Sequence, residues 1–223
     1  MKSFSEFHNS RNNRFAWGDD DLEHHDSVIK EDLLVEKVEK KIPPEINQFS
    51  QHKLDRKHVT ALKSYKDKSD INEPLRKNKG LYSDEHQHVK YMDHVTSFKL
   101  KEPLTVYRGA YGHHSASAKK FKQKGHEFTD HGFTSTSLKK EVARTFSSRG
   151  KKSHIFAIHL KPGDKGYHLD RHKNYHEKEH EVLLHRGTRF KVTHHSEDDK
   201  NHITHLSVVS QEARPLKQRN SWW

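Results

Sequence analysis

Apolar residues in the first hundred positions recur at helical spacing. Ile29, Leu33, Leu34, Val35 and Val38 mark a helix over residues 29–42, which Pro43-Pro44 ends. Val59, Leu62 and Tyr65, followed by Ile71 and Leu75, predict one or two helices over residues 55–78. Val89, Met92, Val95 and Phe98 predict a further helix over 86–99. From residue 103 the period shortens. Short β-rich runs occupy 103–107, 127–129, 132–137, 154–160, 165–169, 181–184, 188–194 and 203–209, with two helical stretches between them at 115–124 and 139–148. Helices first and a crowd of short strands afterwards indicate an α+β fold with a mostly antiparallel sheet system. No segment repeats.

The order of these elements divides the chain. Residues 1–28 are polar and acidic and read as a disordered tail, 29–54 as a helix and linker, 55–210 as a compact domain and 211–223 as a basic C-terminal tail. Composition agrees with a tail in front of one domain. Only 30% of the 223 residues are apolar, against roughly 45–50% in globular chains when glycine is also counted. The formal net charge is +11, and the excess lies in residues 101–223, which hold 24 Lys and Arg against 13 Asp and Glu. Such a surface favours acidic partners: an acidic protein face, a nucleic acid or an anionic small molecule. The absence of cysteine excludes a disulfide scaffold, a Cys-ligated zinc, an iron–sulfur centre and a thiol nucleophile. No apolar run approaches the roughly 18 residues of a membrane helix, and the polar start Met1–Glu6 predicts no ordinary secretory signal.

Three segments carry chemistry. Val106-Tyr107-Arg108-Gly109 ends an apolar strand on an arginine whose guanidinium can hold a phosphate in two bonds. Its glycine lets the backbone turn or approach another group closely. Gly132-Phe133-Thr134-Ser135-Thr136-Ser137 is a short strand of small hydroxyl residues able to bond a carboxylate or a ribose. His176-Glu177-Lys178-Glu179-His180-Glu181 runs into the buried strand Val182-Leu183-Leu184. In an extended chain Glu179 and Glu181 face the same way, and two like charges side by side are costly unless a cation or a reaction uses them. Each segment alone also has a plain structural reading: a surface arginine at a strand end, a threonine-rich strand, a solvated charged loop.

In this order the segments resemble the mono-ADP-ribosyltransferase toxin family of the Arg / Ser-Thr-Ser / Glu-x-Glu class, which includes phage ADP-ribosyltransferases and the enzymatic components of binary actin-modifying toxins. Two further pieces are similar to that family: the helical segment with Tyr65, Ile71-Asn72 and Leu75-Arg76, and the strand Arg186-Gly187-Thr188-Arg189-Phe190-Lys191-Val192. The resemblance covers about residues 55–210. It implies N-terminal helices packed on a split, mostly antiparallel β-sandwich that binds NAD as substrate and needs no metal. It implies Arg108 on the NAD phosphates, with Gly109 shaping the adjacent backbone. Ser135 orients the catalytic glutamate, and Thr136 and Ser137 support the nicotinamide side. Glu181 is the catalytic glutamate, and Glu179 handles the acceptor, its glutamate identity pointing to arginine. The acceptor loop carries Tyr175 and His176 where the family often has an aromatic residue five positions before the catalytic glutamate.

The chemistry of that reaction suits these side chains. Breaking a C–N glycosidic bond develops positive charge on the ribose, as in glycoside hydrolysis, and a neighbouring carboxylate stabilises it. A second carboxylate that takes a proton from the acceptor acts as general base. The expectation is therefore an NAD-dependent transfer of ADP-ribose to an arginine of a host protein by a monomeric enzyme. Ribosomal, transcription or RNA-associated complexes are candidate partners. The setting expected is a phage enzyme in the host cytoplasm, carried in the virion or made there, with a secreted or injected bacterial toxin as the alternative. Two other readings stay open: an NAD glycohydrolase with water as acceptor, and a non-enzymatic basic RNA-binding protein. The 23 histidines, including the pairs at 24–25, 113–114 and 194–195, show no convincing zinc spacing and read mostly as surface residues. Phe121, Phe133 and Phe146 read as core.

Overall fold

The computed structural model describes residues 54–67, 71–110, 121, 123–147, 152–169 and 180–219. The expected helix at 29–42 and most of the one at 115–124 lie outside them. Three helices come first: α1 (Arg56–Asp67), α2 (Asn72–Arg76) and α3 (Ser83–Val95). Then follow β1 (Leu104–Gly109), β2 (Glu127–Asp130), β3 (Thr134–Ser137), α4 (Lys140–Thr145), β4 (Ser153–Leu160), β5 (Gly166–His168), β6 (Glu181–Leu184), β7 (Thr188–Glu197) and β8 (Asn201–Gln211). The α+β expectation holds. No helix among the described residues is long and apolar enough to cross a membrane.

Helix α3 begins three residues before the expected start and ends at Val95 rather than 99. Its first turn is acidic, with Asp84 and Glu85 near the positive end of the helix dipole. The Glu85 carboxylate accepts the Tyr82 N–H at 2.7 Å. A hydrophobic period cannot reveal such a cap, because the cap is polar. Pro74 is tolerated in the short α2 because it falls in the first turn, where no N–H is needed.

The strands form one sheet in the order β2-β7-β8-β4-β1-β3-β6-β5, antiparallel except for β4 with β8. Strand β1 pairs with β4 along all six of its residues, but meets β3 at a single pair, Tyr107 with Ser137. That weak seam divides the sheet into five strands and three, in keeping with the split sheet that the family resemblance implies. Every residue of β3 and β6 is buried, so this part of the sheet is covered on both faces. Strand β7 instead alternates, with Thr188, Phe190 and Val192 inward and Arg189 and Lys191 outward. The two faces of β1 do different work. Gly109 lies against α4, where an added Cβ would stand 2.3 Å from the Ala143 carbonyl oxygen. Val106 is fully buried, and Phe156 and Ile158 of β4, register partners of Arg108 and Val106, join its face.

Phe121 and Phe133 are core residues, at 7% and 0% exposure. Phe146 is only half-buried, because it follows the end of α4 and lends its backbone rather than its ring to Gly109. The histidines are less superficial than expected. His168 and His185 are buried. His159, His194 and His205 stack on one another across β4, β7 and β8, with centroids 3.9 Å apart for His194 and His205 and 5.2 Å for His159 and His205. Among the described residues no group of His, Asp and Glu is arranged to hold a metal ion.

Candidate active site

The seam between the sheet halves leaves backbone groups of β3 without a β1 partner, and one of them is used. The guanidinium of Arg108, only 6% exposed, donates from Nη1 to the Ser135 carbonyl at 2.5 Å. On β3 and β6, Ser137 lies opposite Glu181 and Ser135 opposite Leu183. Ser135 and Glu181 are thus diagonal neighbours on one face. The Ser135 hydroxyl donates to Glu181 Oε1 in a short hydrogen bond. Arg108, Ser135 and Glu181 therefore converge from three strands, with the carboxylate 1% exposed.

The alternation of β3 sends Thr136 the other way. Its hydroxyl donates to the Val182 carbonyl at 2.6 Å and ties β3 to β6. The Ser137 hydroxyl accepts the Lys139 N–H at 3.0 Å, just before α4. Both hydroxyls are engaged within the fold, at 0% exposure. Gly109 has a role in packing: it admits the backbone of α4 next to Arg108. Tyr175, His176 and Glu179 lie outside the described residues. The residue between the two glutamates, His180, has a left-handed φ of +44°. The chain is not extended at His180. A non-glycine residue in that region costs on the order of 1–3 kcal/mol and persists only where its surroundings hold it. Here the Leu138 N–H donates to the His180 carbonyl at 2.9 Å.

A second layer fixes β3. Asn72, fully buried at the start of α2, donates to the Tyr65 hydroxyl at 2.8 Å and accepts the Phe133 N–H at 2.7 Å. Gly132 makes this possible, since a Cβ there would lie 2.6 Å from Asn72 Oδ1. Residues 132 and 133 are therefore a docking loop rather than the first part of the expected strand. The Tyr65 ring meets the Phe133 ring edge-on, centroids 6.0 Å apart. Arg76 forks onto Asp130, Nε to Oδ1 at 2.8 Å and Nη2 to Oδ2 at 3.2 Å, and also reaches the Phe133 carbonyl. Burial by itself would raise the Asp130 carboxyl, yet Arg76, Arg108 and the Gly132 N–H hold it below the ordinary carboxylate value. Burial and the Glu181 charge push the Tyr65 hydroxyl well above its ordinary value, so it stays protonated.

Sequence reasoning placed Tyr65, Asn72 and Arg76 in a motif without roles, and it missed two residues. Asp130 could have been suspected from its short distance to Gly132 in an Asx turn, where its carboxylate accepts the Gly132 N–H at 3.0 Å. Lys66, whose Nζ lies 2.9 Å from Glu181 Oε2, sits in a lysine-rich stretch that offers no signal. Beside Arg108 opens a cavity of about 280 Å³, lined by apolar Phe128, Phe156 and Phe190 and by polar Arg108, Asp130 and Thr134. Aromatic walls and a buried cation suit a ligand that combines flat rings with anionic groups.

Residues 40–213 match the family model described as ADP-ribosyltransferase exoenzyme. No curated protein matches the chain in sequence. Solved structures share its fold. Plx2a, an ADP-ribosyltransferase toxin from Paenibacillus larvae, is 19% identical with a TM-score of 0.58, over 79% of this chain and 96% of that one. Exoenzyme S from Pseudomonas aeruginosa, solved in complex with human 14-3-3 protein beta and bound to carba-NAD, is 21% identical with a TM-score of 0.55, over 81% and 89%. The enzymatic component C2-I of the C2 toxin from Clostridium botulinum is 21% identical with a TM-score of 0.58, over 70% of this chain and 44% of that one.

Proposed function

The chain belongs to the ADP-ribosyltransferase exoenzyme family, and from that premise we propose that it is an NAD-dependent mono-ADP-ribosyltransferase whose acceptor is an arginine of a target protein, with residues 55–210 as its catalytic domain. The observation that carries the reading is the convergence of Arg108, Ser135 and Glu181 at the seam of the sheet. Bound NAD supplies the glycosidic bond that breaks and the ADP-ribose that is transferred. Arg108 supplies positive charge for its phosphates, and the aromatic cavity beside Arg108 suits one of its rings. Ser135 holds the Glu181 carboxylate in one orientation, so a fixed negative charge stands where positive charge develops. Its burial makes that charge more effective than it would be in water. Glu179 orients the acceptor guanidinium and takes its proton, with Tyr175 and His176 forming the adjoining acceptor loop. Thr136 and Ser137 support the site by fixing β3.

The acceptor of choice is a host protein, and the +11 charge favours an acidic target or complex. The descriptions of Plx2a and C2-I as toxin proteins favour a delivered bacterial toxin acting in host cytoplasm over a phage enzyme. The test is incubation of the protein with labelled NAD and host-cell lysate, followed by mass spectrometry of labelled peptides. Label on arginine is expected, and Glu181→Ala should abolish both labelling and nicotinamide release. Label retained in that variant overturns the role of Glu181. Free ADP-ribose without labelled protein would mean that water is the acceptor.

A further inference from the structure

His159 of β4, His205 of β8 and His194 of β7 lie side by side on the face of the sheet away from Arg108, Phe156 and Ile158. The rings of His205 and His194 are stacked, with centroids 3.9 Å apart and planes 12° from parallel. His205 and His159 are joined edge to edge instead. Nε2 of His159 lies 2.9 Å from Nδ1 of His205. Their outer nitrogens meet hydroxyls: His159 Nδ1 is 3.0 Å from Thr105 Oγ1, and His205 Nε2 is 2.8 Å from Ser196 Oγ. One line of hydrogen bonds, Thr105–His159–His205–Ser196, thus crosses β1, β4, β8 and β7. These four strands are neighbours in the five-stranded half of the sheet.

Such a line has a limited capacity for protons. A hydrogen bond between two ring nitrogens holds one proton. With both rings neutral, one facing nitrogen carries it and the other accepts it. One added proton can go to the outer nitrogen of the donor ring, where a hydroxyl oxygen accepts it. A second must go to the facing nitrogen of the other ring. Both facing nitrogens are then donors, and two cations stand with centroids 5.2 Å apart. The charges acting on the pair come from bases. Burial, and then the charges of His194, His159 and His195, push the His205 imidazole down to about 4. Partial burial and His194 push His159 down as well. Tyr107 of β1 and Lys191 of β7 share this side of the sheet. The carboxylates of the surrounding strands face other cations: Glu127 of β2 meets Arg189 and Lys191, and Glu197 of β7 meets Lys152 and His202. Helix α4 lies over Gly109 at the far end of β1, with Lys140 held by Asp198 and with Glu141 and Arg144 further along.

We propose that the line Thr105–His159–His205–Ser196, with His194 stacked on it, is an acid-sensitive clasp: it holds β1, β4, β8 and β7 together while the two joined rings share a proton, and it opens when both are protonated, loosening the five-stranded half of the sheet. A base whose folded value lies below its unfolded value stabilises the fold above the unfolded value. That contribution disappears as pH falls from about 6.5 toward about 4.

The test begins with nitrogen-15 NMR of the imidazoles in the full chain. At neutral pH one of the two facing nitrogens should be protonated and the other bare, and His205 should titrate well below its ordinary value. His159→Thr keeps a strand-forming residue and removes the partner nitrogen. It should raise the His205 midpoint by about half a pH unit or more, about threefold or more in proton affinity. Urea unfolding is then measured at about pH 7 and about pH 4.5, which span most of the window in which the clasp opens. The double variant His159→Thr/His205→Thr should lose less stability between the two than the parent does. The same comparison in a His185→Gln background should give the same difference, because His185 is buried elsewhere and its contribution adds independently. Backbone amides of β7 and β8 should exchange faster in acid in the parent than in the double variant, relative to those of β3 and β6. Two bare facing nitrogens, an ordinary His205 midpoint, a midpoint unmoved by His159→Thr, or an acid loss as large in the double variant as in the parent overturns the proposal.

Discussion

Gly109 follows the site arginine, and its replacement by alanine offers a quantitative test of how the fold holds Arg108. An ideal Cβ at 109 would stand 2.3 Å from the Ala143 oxygen, 2.6 Å from the Phe146 carbonyl carbon and 2.7 Å from its oxygen. Ordinary contact begins at 3.4 Å, so strand and helix must separate by about 1 Å. All three atoms are backbone, so no rotamer change relieves the overlap. Strand β1 is paired with β4 along its whole length, and α4 is tethered by Lys140, which donates to Asp198 at 2.8 Å. Overpacking of this kind costs about 1–3 kcal/mol and occasionally more, and a clash with three backbone atoms belongs at the upper end. At roughly 2–4 °C per kcal/mol for a chain of this size, Gly109→Ala should melt about 6–12 °C below the parent. The natural control is Gly163→Ala. Gly163 has φ +94° and open space around its Cβ position, so it should lose only the backbone penalty of roughly 1–2 kcal/mol. The assay is thermal unfolding by circular dichroism, with nicotinamide release measured on the same samples. Any shift of β1 also moves Arg108 off the Ser135 carbonyl, so activity in Gly109→Ala should fall further than stability explains. A melting temperature within about 2 °C of the parent, or a smaller loss than that of Gly163→Ala, would refute the reasoning.

Asn72→Ala should cost about 1–3 kcal/mol by leaving the buried Phe133 N–H without its acceptor. Asn72→Asp, which keeps that acceptor, should recover part of the loss in urea unfolding, and equal losses in the two variants would show that the bond to Phe133 is not the cause. Stability should also fall in acid. Burial, reinforced by Lys165 and Arg186 against the opposing charge of Asp93, pushes His185 down to about 4, and its Nδ1 lies 2.9 Å from Thr96 Oγ1. A base whose folded value lies below its unfolded value stabilises the protein above the unfolded value. That contribution is lost as pH drops from about 6.5 to about 4, and amounts here to about 3 kcal/mol. His185→Gln should flatten the unfolding free energy over that window, and an unchanged slope would exclude this source.

Residue type and order alone determined the fold class, most strand positions and the three side chains that meet at the seam. Strands are legible because inward and outward residues alternate along one short segment, as in β7, and because a buried strand such as Val182-Leu183-Leu184 is continuously apolar. Arg108, Ser135 and Glu181 are legible because each sits in a short run whose residue types and order carry the resemblance to the family. The start of α3 was not legible, because its cap is polar and lies outside the hydrophobic period. What the glycines and the second layer do was decided by tertiary structure. Gly109 is there for the backbone of α4, and Gly132 for the side chain of Asn72, and neither neighbour is visible from within its own segment. The backbone at His180 was decided there as well, since its left-handed φ breaks the alternation that a linear reading assumes. Lys66 shows the limit most clearly. A lysine among lysines carries no local mark, and its partnership with Glu181 exists only because Tyr65, Asn72 and Phe133 dock α1 onto the approach to β3. Local pattern records what a residue does to its own segment. Close packing between segments distant in sequence, together with the burial that makes a single charge matter, arises only when the chain has folded.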